Sequence, residues 1–202
     1  MRLVRLLVFS ALVWFSTTAH AESIYDFLSQ SLVFVSDRPV PSGSYLPTDT
    51  ITGFIDLSSA LGPSMPLTDV TSTVLDYSFS DDRGAINPGN ADFFSLSLGT
   101  DASGAIDAHQ GFIFYEVDFD DPSAQAYAYY LDSLLGDGAE LAQCSAVIGG
   151  NCQTISSDSA FSVEVAHGGS PGTWTLRPVP VPPAFLFLGS GFAAVLFRRR
   201  LS

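Results

Sequence analysis

Outside the carboxylates, few side chains could do chemistry. The chain has three histidines, His20, His109 and His167, and two cysteines, Cys144 and Cys152. A hydrolase needs a nucleophile with a base and an orienting group, or two carboxylates flanking the scissile bond. No His-Glu-x-x-His is present, and no Gly-x-Ser-x-Gly elbow is expected. His109 lies in Asp107-Ala108-His109-Gln110-Gly111, and His167 precedes Gly168-Gly169-Ser170-Pro171. Both read as solvated turn residues. With 21 acidic residues in the chain, close carboxylate pairs arise by chance and carry no information. The expectation is that the protein is not an enzyme, with a secreted hydrolase ranked behind two other function classes.

Two acidic turns offer hard oxygen ligands for Ca²⁺. One is Asp118-Phe119-Asp120-Asp121, where Asp118, Asp120 and Asp121 would be the ligands. The other is Asp81-Asp82-Arg83-Gly84 with Asn87, Asn90 and Asp92. Neither matches the Asp-x-Asp-x-Asp-Gly loop with its distal Glu, so each competes with a plain solvated turn and no cofactor is expected. No His or third Cys stands at zinc-ligand spacing. Cys144 and Cys152 enclose Ser-Ala-Val-Ile-Gly-Gly-Asn; in an exported chain an even pair suggests a disulfide, against two free thiols. Tyr115, Tyr127, Tyr129, Tyr130 and Trp174 are candidate stacking platforms for a sugar.

The elements that would position these residues are strands. In 202 residues, 47% are apolar and 14% charged, which is too apolar for a solvated disordered chain. Short β-rich runs recur between turn signals. They are 31–36, 50–57, 72–79, 92–98, 111–119, 161–165 and 172–176. Gly, Pro, Asn and Asp punctuate them at 39–47, 62–66, 81–90, 99–104 and 167–172. One helix is predicted over 123–135, from its Ala, Tyr and Leu content with Gly136 as a stop. Residues 22–177 are therefore expected to form one all-β domain, a jelly-roll-like β-sandwich.

Charge separates the ends from this middle. All eight bases are arginine, and the net charge is −13. Arg2 and Arg5 open the chain, Arg198, Arg199 and Arg200 close it, and every acid lies between Glu22 and Glu164. Nucleic-acid affinity rests on clustered cations, so a nucleic-acid partner is excluded. Residues 1–21 read as a signal peptide: basic Arg2 and Arg5, the apolar run 6–15, then Ala19-His20-Ala21 with cleavage before Glu22. Near the other end, Pro178-Val179-Pro180-Val181-Pro182-Pro183 can be neither helix nor central strand and reads as an extended spacer. Residues 184–197 carry no charge and read as a transmembrane helix, with Arg198-Arg199-Arg200 as the cytoplasmic membrane stop. Fourteen helical residues span about 21 Å against a hydrocarbon core of about 30 Å, a gap that snorkelling arginines and local thinning can narrow.

The tail has three parts in order: Val179-Pro180-Val181-Pro182-Pro183-Ala184, Phe185-Leu186-Phe187-Leu188-Gly189-Ser190-Gly191 with its apolar continuation, and Arg198-Arg199-Arg200. It closely resembles the VPLPA-CTERM class of PEP-CTERM sorting signals. It departs from that pattern in Val181 for the usual Leu and Pro183 for the usual Ala. The resemblance implies a sorting motif at 179–184 that is recognised and processed by an exosortase, a membrane-embedded cysteine transpeptidase. It also implies a place in the envelope or exopolysaccharide matrix of a Gram-negative bacterium. A weaker likeness to ectodomains of that group lies in 51–57 followed by 69–79, a Thr-Gly strand and then an aromatic-Ser-Phe strand.

The expected protein is thus an exported, membrane-anchored surface protein with a tail at 178–202, facing the periplasm and then the cell surface or matrix after processing. Its partners would be an exosortase-type membrane transpeptidase, the membrane and extracellular polysaccharide. The alternative is a carbohydrate-binding module of the cell envelope.

Overall fold

Alternation of apolar and polar side chains is the local instruction along most of the chain. A computed structural model of the protein describes residues 23–38, 45–115 and 125–178. The signal peptide, cleavage residues, sorting motif, transmembrane segment and arginine cluster expected from the sequence lie outside these residues, as do Asp118, Asp120 and Asp121. Among the described residues, no helix is long and apolar enough to cross a membrane.

The regular elements are β1 (Ser23–Leu28), β2 (Phe34–Arg38), β3 (Thr52–Leu57), β4 (Thr68–Asp69), β5 (Val74–Ser80) and β6 (Ala85–Ile86). They continue with β7 (Phe93–Thr100), β8 (Ile106–Tyr115), β9 (Gln125–Asp132), β10 (Gly138–Ile148), β11 (Asn151–Phe161) and β12 (Thr173–Leu176). Two three-residue 3-10 turns, Thr71–Thr73 and Val165–His167, are the only helical pieces among the described residues. The strands form two antiparallel sheets, one of five strands in the order β12-β1-β3-β5-β6 and one of seven in the order β2-β11-β10-β9-β8-β7-β4.

The buried faces of both sheets share one hydrophobic cluster. Tyr25, Phe27, Ile55, Leu57, Tyr77 and Phe79 come from the five-stranded sheet. Leu96, Leu98, Ile113, Tyr129, Leu131 and Leu141 come from the seven-stranded sheet. Strands β7 to β11 follow one another across the larger sheet as a meander. This connectivity differs from the Greek-key pairing of the expected jelly roll. The described residues are all-β, as the turn spacing predicts.

The helix expected over 123–135 is not formed in its described part, where β9 runs from Gln125 to Asp132. Tyr127, Tyr129 and Leu131 alternate with Ala128, Tyr130 and Asp132, a period of two that a helix cannot use. Neighbours on both sides, β8 and β10, satisfy its backbone. Aromatic side chains favour such a pleated surface, and this outweighs the helix propensity of alanine and leucine. The strand expected at 161–165 is also displaced: Phe161 ends β11, and Val165 opens the 3-10 turn.

The two segments of the weaker likeness become adjacent strands. β3 pairs with β5 in a register that sets Gly53 opposite Phe79. The Phe79 ring, fully buried, lies over Gly53, where any Cβ would overlap it and approach the Ser78 carbonyl at 2.6 Å. Glycine at this position is a packing requirement. Gly53→Ala is expected to lower stability by about 1–3 kcal/mol, the usual cost of overpacking a core, measured as a shift of the urea midpoint.

The expected disulfide is present. Cys144 and Cys152 are bonded across the end of the β10–β11 hairpin, with Cα atoms 5.6 Å apart. In the hairpin ladder Cys144 faces Ile155; register shifts at Ala146 then bring Val147 opposite Cys152. That irregularity lets two cysteines on opposite strands meet without being direct partners. Replacing both by serine is expected to cost about 2–3 kcal/mol by the chain-entropy relation for so short a loop, read by urea unfolding against the oxidised protein.

Candidate functional site

The outer face of the seven-stranded sheet is where strand alternation places aromatic and polar side chains away from the core. On β7, Leu96 and Leu98 point inward, leaving Phe93, Ser95 and Ser97 outside. On β8, His109 and Ile113 are buried, leaving Gln110, Phe112 and Phe114 outside. On β9, Tyr129 and Leu131 are buried, leaving Tyr130 and Asp132 outside. Register then aligns these residues across strands. Ser95 pairs with Phe112, Phe112 with Tyr130, Tyr130 with Gly138, and Gly138 with Phe161. One row thus crosses five strands, a distance of about 19 Å at the usual strand spacing.

The rings in this row touch. Phe112 and Tyr130 have centroids 4.9 Å apart with planes 30° from parallel. Tyr130 and Phe161 stand 5.9 Å apart across the intervening strand β10. Gly138 makes that contact possible, because a Cβ there would overlap the Phe161 ring. The Tyr130 hydroxyl donates to Glu140 Oε2 at 3.0 Å. Burial, and then the Glu140 charge, push the Tyr130 phenol up to about 12, so it remains a hydrogen-bond donor.

A polar row lies beside the aromatic one. Ser97 pairs with Gln110 and Gln110 with Asp132, and Gln110 Nε2 donates to Asp132 Oδ2 at 3.4 Å. The segments 135–136 and 162–167 contribute further lining. There Glu164 Oε2 and His167 Nδ1 stand 3.2 Å apart in an exposed pair. The two rows and these segments enclose a groove of about 860 Å³, within the range of roughly 300–1,000 Å³ typical of ligand sites. None of the residues that line it is lysine or arginine.

Behind the groove lies a buried polar knot. His109 Nε2 and Asp137 Oδ1 are 2.8 Å apart, with side chains 1% and 0% exposed. Asp137 Oδ1 also accepts from the Asp132 amide at 3.2 Å, and Oδ2 accepts from the Gly172 amide at 3.1 Å. The Asp137 amide donates to Ser162 Oγ at 2.9 Å. Phe27 and Trp174 stand edge-on to the imidazole. A general base must come within hydrogen-bond reach of its substrate. This pair is sealed from solvent, so it serves packing.

The expectation for His109 is therefore corrected: it is a core residue. β8 begins at Ile106 rather than Gly111, and the same alternation that buries Ile113 turns His109 inward. His167 is exposed, as expected. The Gly-x-Ser-x-Gly spacing does occur once, at Gly168-Gly169-Ser170-Pro171-Gly172. It sits in the loop between the second 3-10 turn and β12, without the strand-to-helix turn that makes a nucleophile elbow.

Of the five stacking candidates, Tyr130 alone belongs to the aromatic row. Tyr129 is buried, and its hydroxyl donates to the Gly84 carbonyl at 2.7 Å and to Asp81 at 3.1 Å. Trp174 packs between the sheets, 4.7 Å from Phe27. Tyr127 covers Gly84, and Tyr115 packs against the core cluster. Phe112, Phe161, Gln110, Asp132 and Gly138 were not singled out from the sequence.

In the acidic turn at 81–92, three side-chain oxygens cap its own backbone. Asp81 Oδ1 accepts from the amides of Arg83 and Gly84 at 3.1 and 3.3 Å. Asn90 Oδ1 accepts from the Asn87 amide at 2.7 Å, and Asn87 Oδ1 from the Gly89 amide at 2.8 Å. Among the described residues, no group of three or more His, Cys, Asp or Glu side chains is placed to hold a metal ion.

Comparison with known proteins returns no matching family model, no matching curated protein and no matching solved structure.

Asp137→Ala strands His109 and two backbone amides in the core. At about 1–3 kcal/mol for each buried group left unsatisfied, the variant is expected to lose about 3 kcal/mol or more, read from urea unfolding. Glu164→Ala, which breaks only an exposed pair, is expected to change stability by less than about 0.5 kcal/mol.

Proposed function

We propose that this chain is an exported surface protein whose tail is its address. On this reading residues 1–21 direct export and residues 22–177 form the ectodomain. Residues 178–202 hold it in the inner membrane, facing the periplasm, until an exosortase-type transpeptidase processes the motif Val179–Ala184. The protein then resides at the cell surface or in the extracellular polysaccharide matrix, and it acts by presence and binding, not by catalysis.

The observation that carries the reading is the pairing of the first and last described strands. β1 starts at Ser23, one residue after the expected cleavage site, and β12 ends at Leu176, just before the proline segment. These two strands are hydrogen-bonded neighbours, Tyr25 opposite Leu176, so both junctions leave the same end of one sheet. Arg177 closes that end. Its amide donates to the Ile24 carbonyl at 2.7 Å, and its guanidinium pairs with Asp26 and lies 5.6 Å from the Phe54 ring. Pro178 has no amide hydrogen with which to extend the ladder. The disulfide agrees with an oxidising compartment, and the sealed His109–Asp137 pair supports the non-catalytic reading.

The test is the intact mass of the protein from cells that carry the processing enzyme. The expected mature chain begins at Glu22 and lacks Arg198–Arg200, and replacing Pro180 and Pro182 by alanine leaves the tail uncut. A mature chain that retains Met1 or Arg200 overturns the reading.

A further inference from the structure

We propose that the groove on the seven-stranded sheet binds an uncharged polysaccharide segment, which lies along the row Phe112–Tyr130–Phe161 and hydrogen-bonds to Gln110, Asp132 and Glu164. The reading of the chain as an exported surface protein bears only on where such a glycan would be met.

The chemistry of the two rows selects the occupant. A pyranose presents apolar C–H faces and, around its edge, hydroxyl groups. The aromatic row offers ring surfaces repeated at strand spacing, suited to the C–H faces. Two residues further along each strand, on the same face, the polar row offers an amide and a carboxylate, and the flanking segment adds Glu164. These carboxylates can accept from the donors that hydroxyls supply. A flat lipid-facing surface or a self-association face would not need an acidic row inside it.

Charge excludes acidic glycans. The groove holds Asp132 and Glu164 and has no lysine or arginine in its lining. A uronate or sulfate would meet like charge without a compensating lysine or arginine. An extended peptide is disfavoured because the row runs across the strands, and β8, β9 and β10 at its centre are already paired on both sides. Among the described residues, these three strands offer no free edge for peptide addition. Gly138 gives a second, independent indication. A larger residue on this central strand would pack better as a strand former, yet glycine stands where it lets Phe161 join Tyr130 in one continuous platform.

The test is affinity electrophoresis of the full-length protein in a zwitterionic detergent without a sugar headgroup, through gels containing hydroxyethylcellulose, laminarin, dextran or alginate. The protein is taken from cells lacking the processing enzyme, so the fate of the tail does not enter. Retardation by at least one of the three neutral polymers and none by alginate is expected. Phe112→Ala and Tyr130→Ala should weaken that retardation at least about tenfold, as loss of a central aromatic contact does. Tyr130→Phe, which keeps the ring, should stay within about threefold, the loss of at most one modest hydrogen bond. Ser97→Arg, on the exposed face, fills the groove without removing a ring and should abolish retardation with an unchanged melting temperature; it stands in if an alanine variant fails to fold. The proposal is overturned by no retardation in any neutral polymer, by equal retardation in alginate, or by folded groove variants that bind as the wild type does. A tail that stays uncut in cells carrying the processing enzyme, together with retardation in this test, would remove the sorting reading and leave this one standing.

Discussion

Four segments of the chain meet at the Asp137 carboxyl group and its own amide. The carboxylate takes a hydrogen bond from the imidazole of β8, from the end of β9 and from Gly172, and the amide reaches Ser162 just after β11. Gly172 leads directly into β12, so one side chain ties the larger sheet to the smaller. It also sets the segments 132–138 and 162–172, from which one wall of the groove is made. A carboxylate so deeply buried survives only because its acceptors are filled. The sheet packing and the shape of the outer face therefore share a single dependency.

The all-β class was legible in the spacing of turns, and most of the strongest strands were legible in their alternation. Elsewhere the signal was ambiguous. Tyr127–Leu131 reads equally as alanine- and leucine-rich helix or as alternating strand, and only its two neighbours decide. β11, Asn-Cys-Gln-Thr-Ile-Ser-Ser-Asp-Ser-Ala-Phe, has little apolar periodicity and owes its conformation to pairing with β10 and β2. His109 looked like a turn residue because Gly111 suggested a strand start, but the strand runs through that glycine.

The groove was hidden for a different reason. Phe112, Tyr130 and Phe161 are far apart in sequence and come together only through the register of three consecutive strand pairings. A one-residue slip in any of them would turn a ring to the other face. Tyr130 could be picked out by residue type, but not in preference to Tyr127, Tyr129 or Trp174, which serve the core. The one local hint was Gly138, a glycine inside a strand, which marks close approach of another group. The cysteine pair was the reverse case, since its short separation made the bridge readable before the hairpin was known.

The pairing of β1 with β12 has a temporal consequence. Asp26 and Arg177 are joined across 151 positions of sequence, so the smaller sheet lacks an edge strand until almost the whole domain has emerged. Contacts this distant close late and slowly. A chain that threads a membrane in the order of its synthesis would have β1 paired with β3 on one side and open on the other until β12 arrived, just ahead of the proline segment. Completion of the fold and arrival of the tail would then be nearly simultaneous, which makes the closing of this sheet a natural clock for the finished molecule.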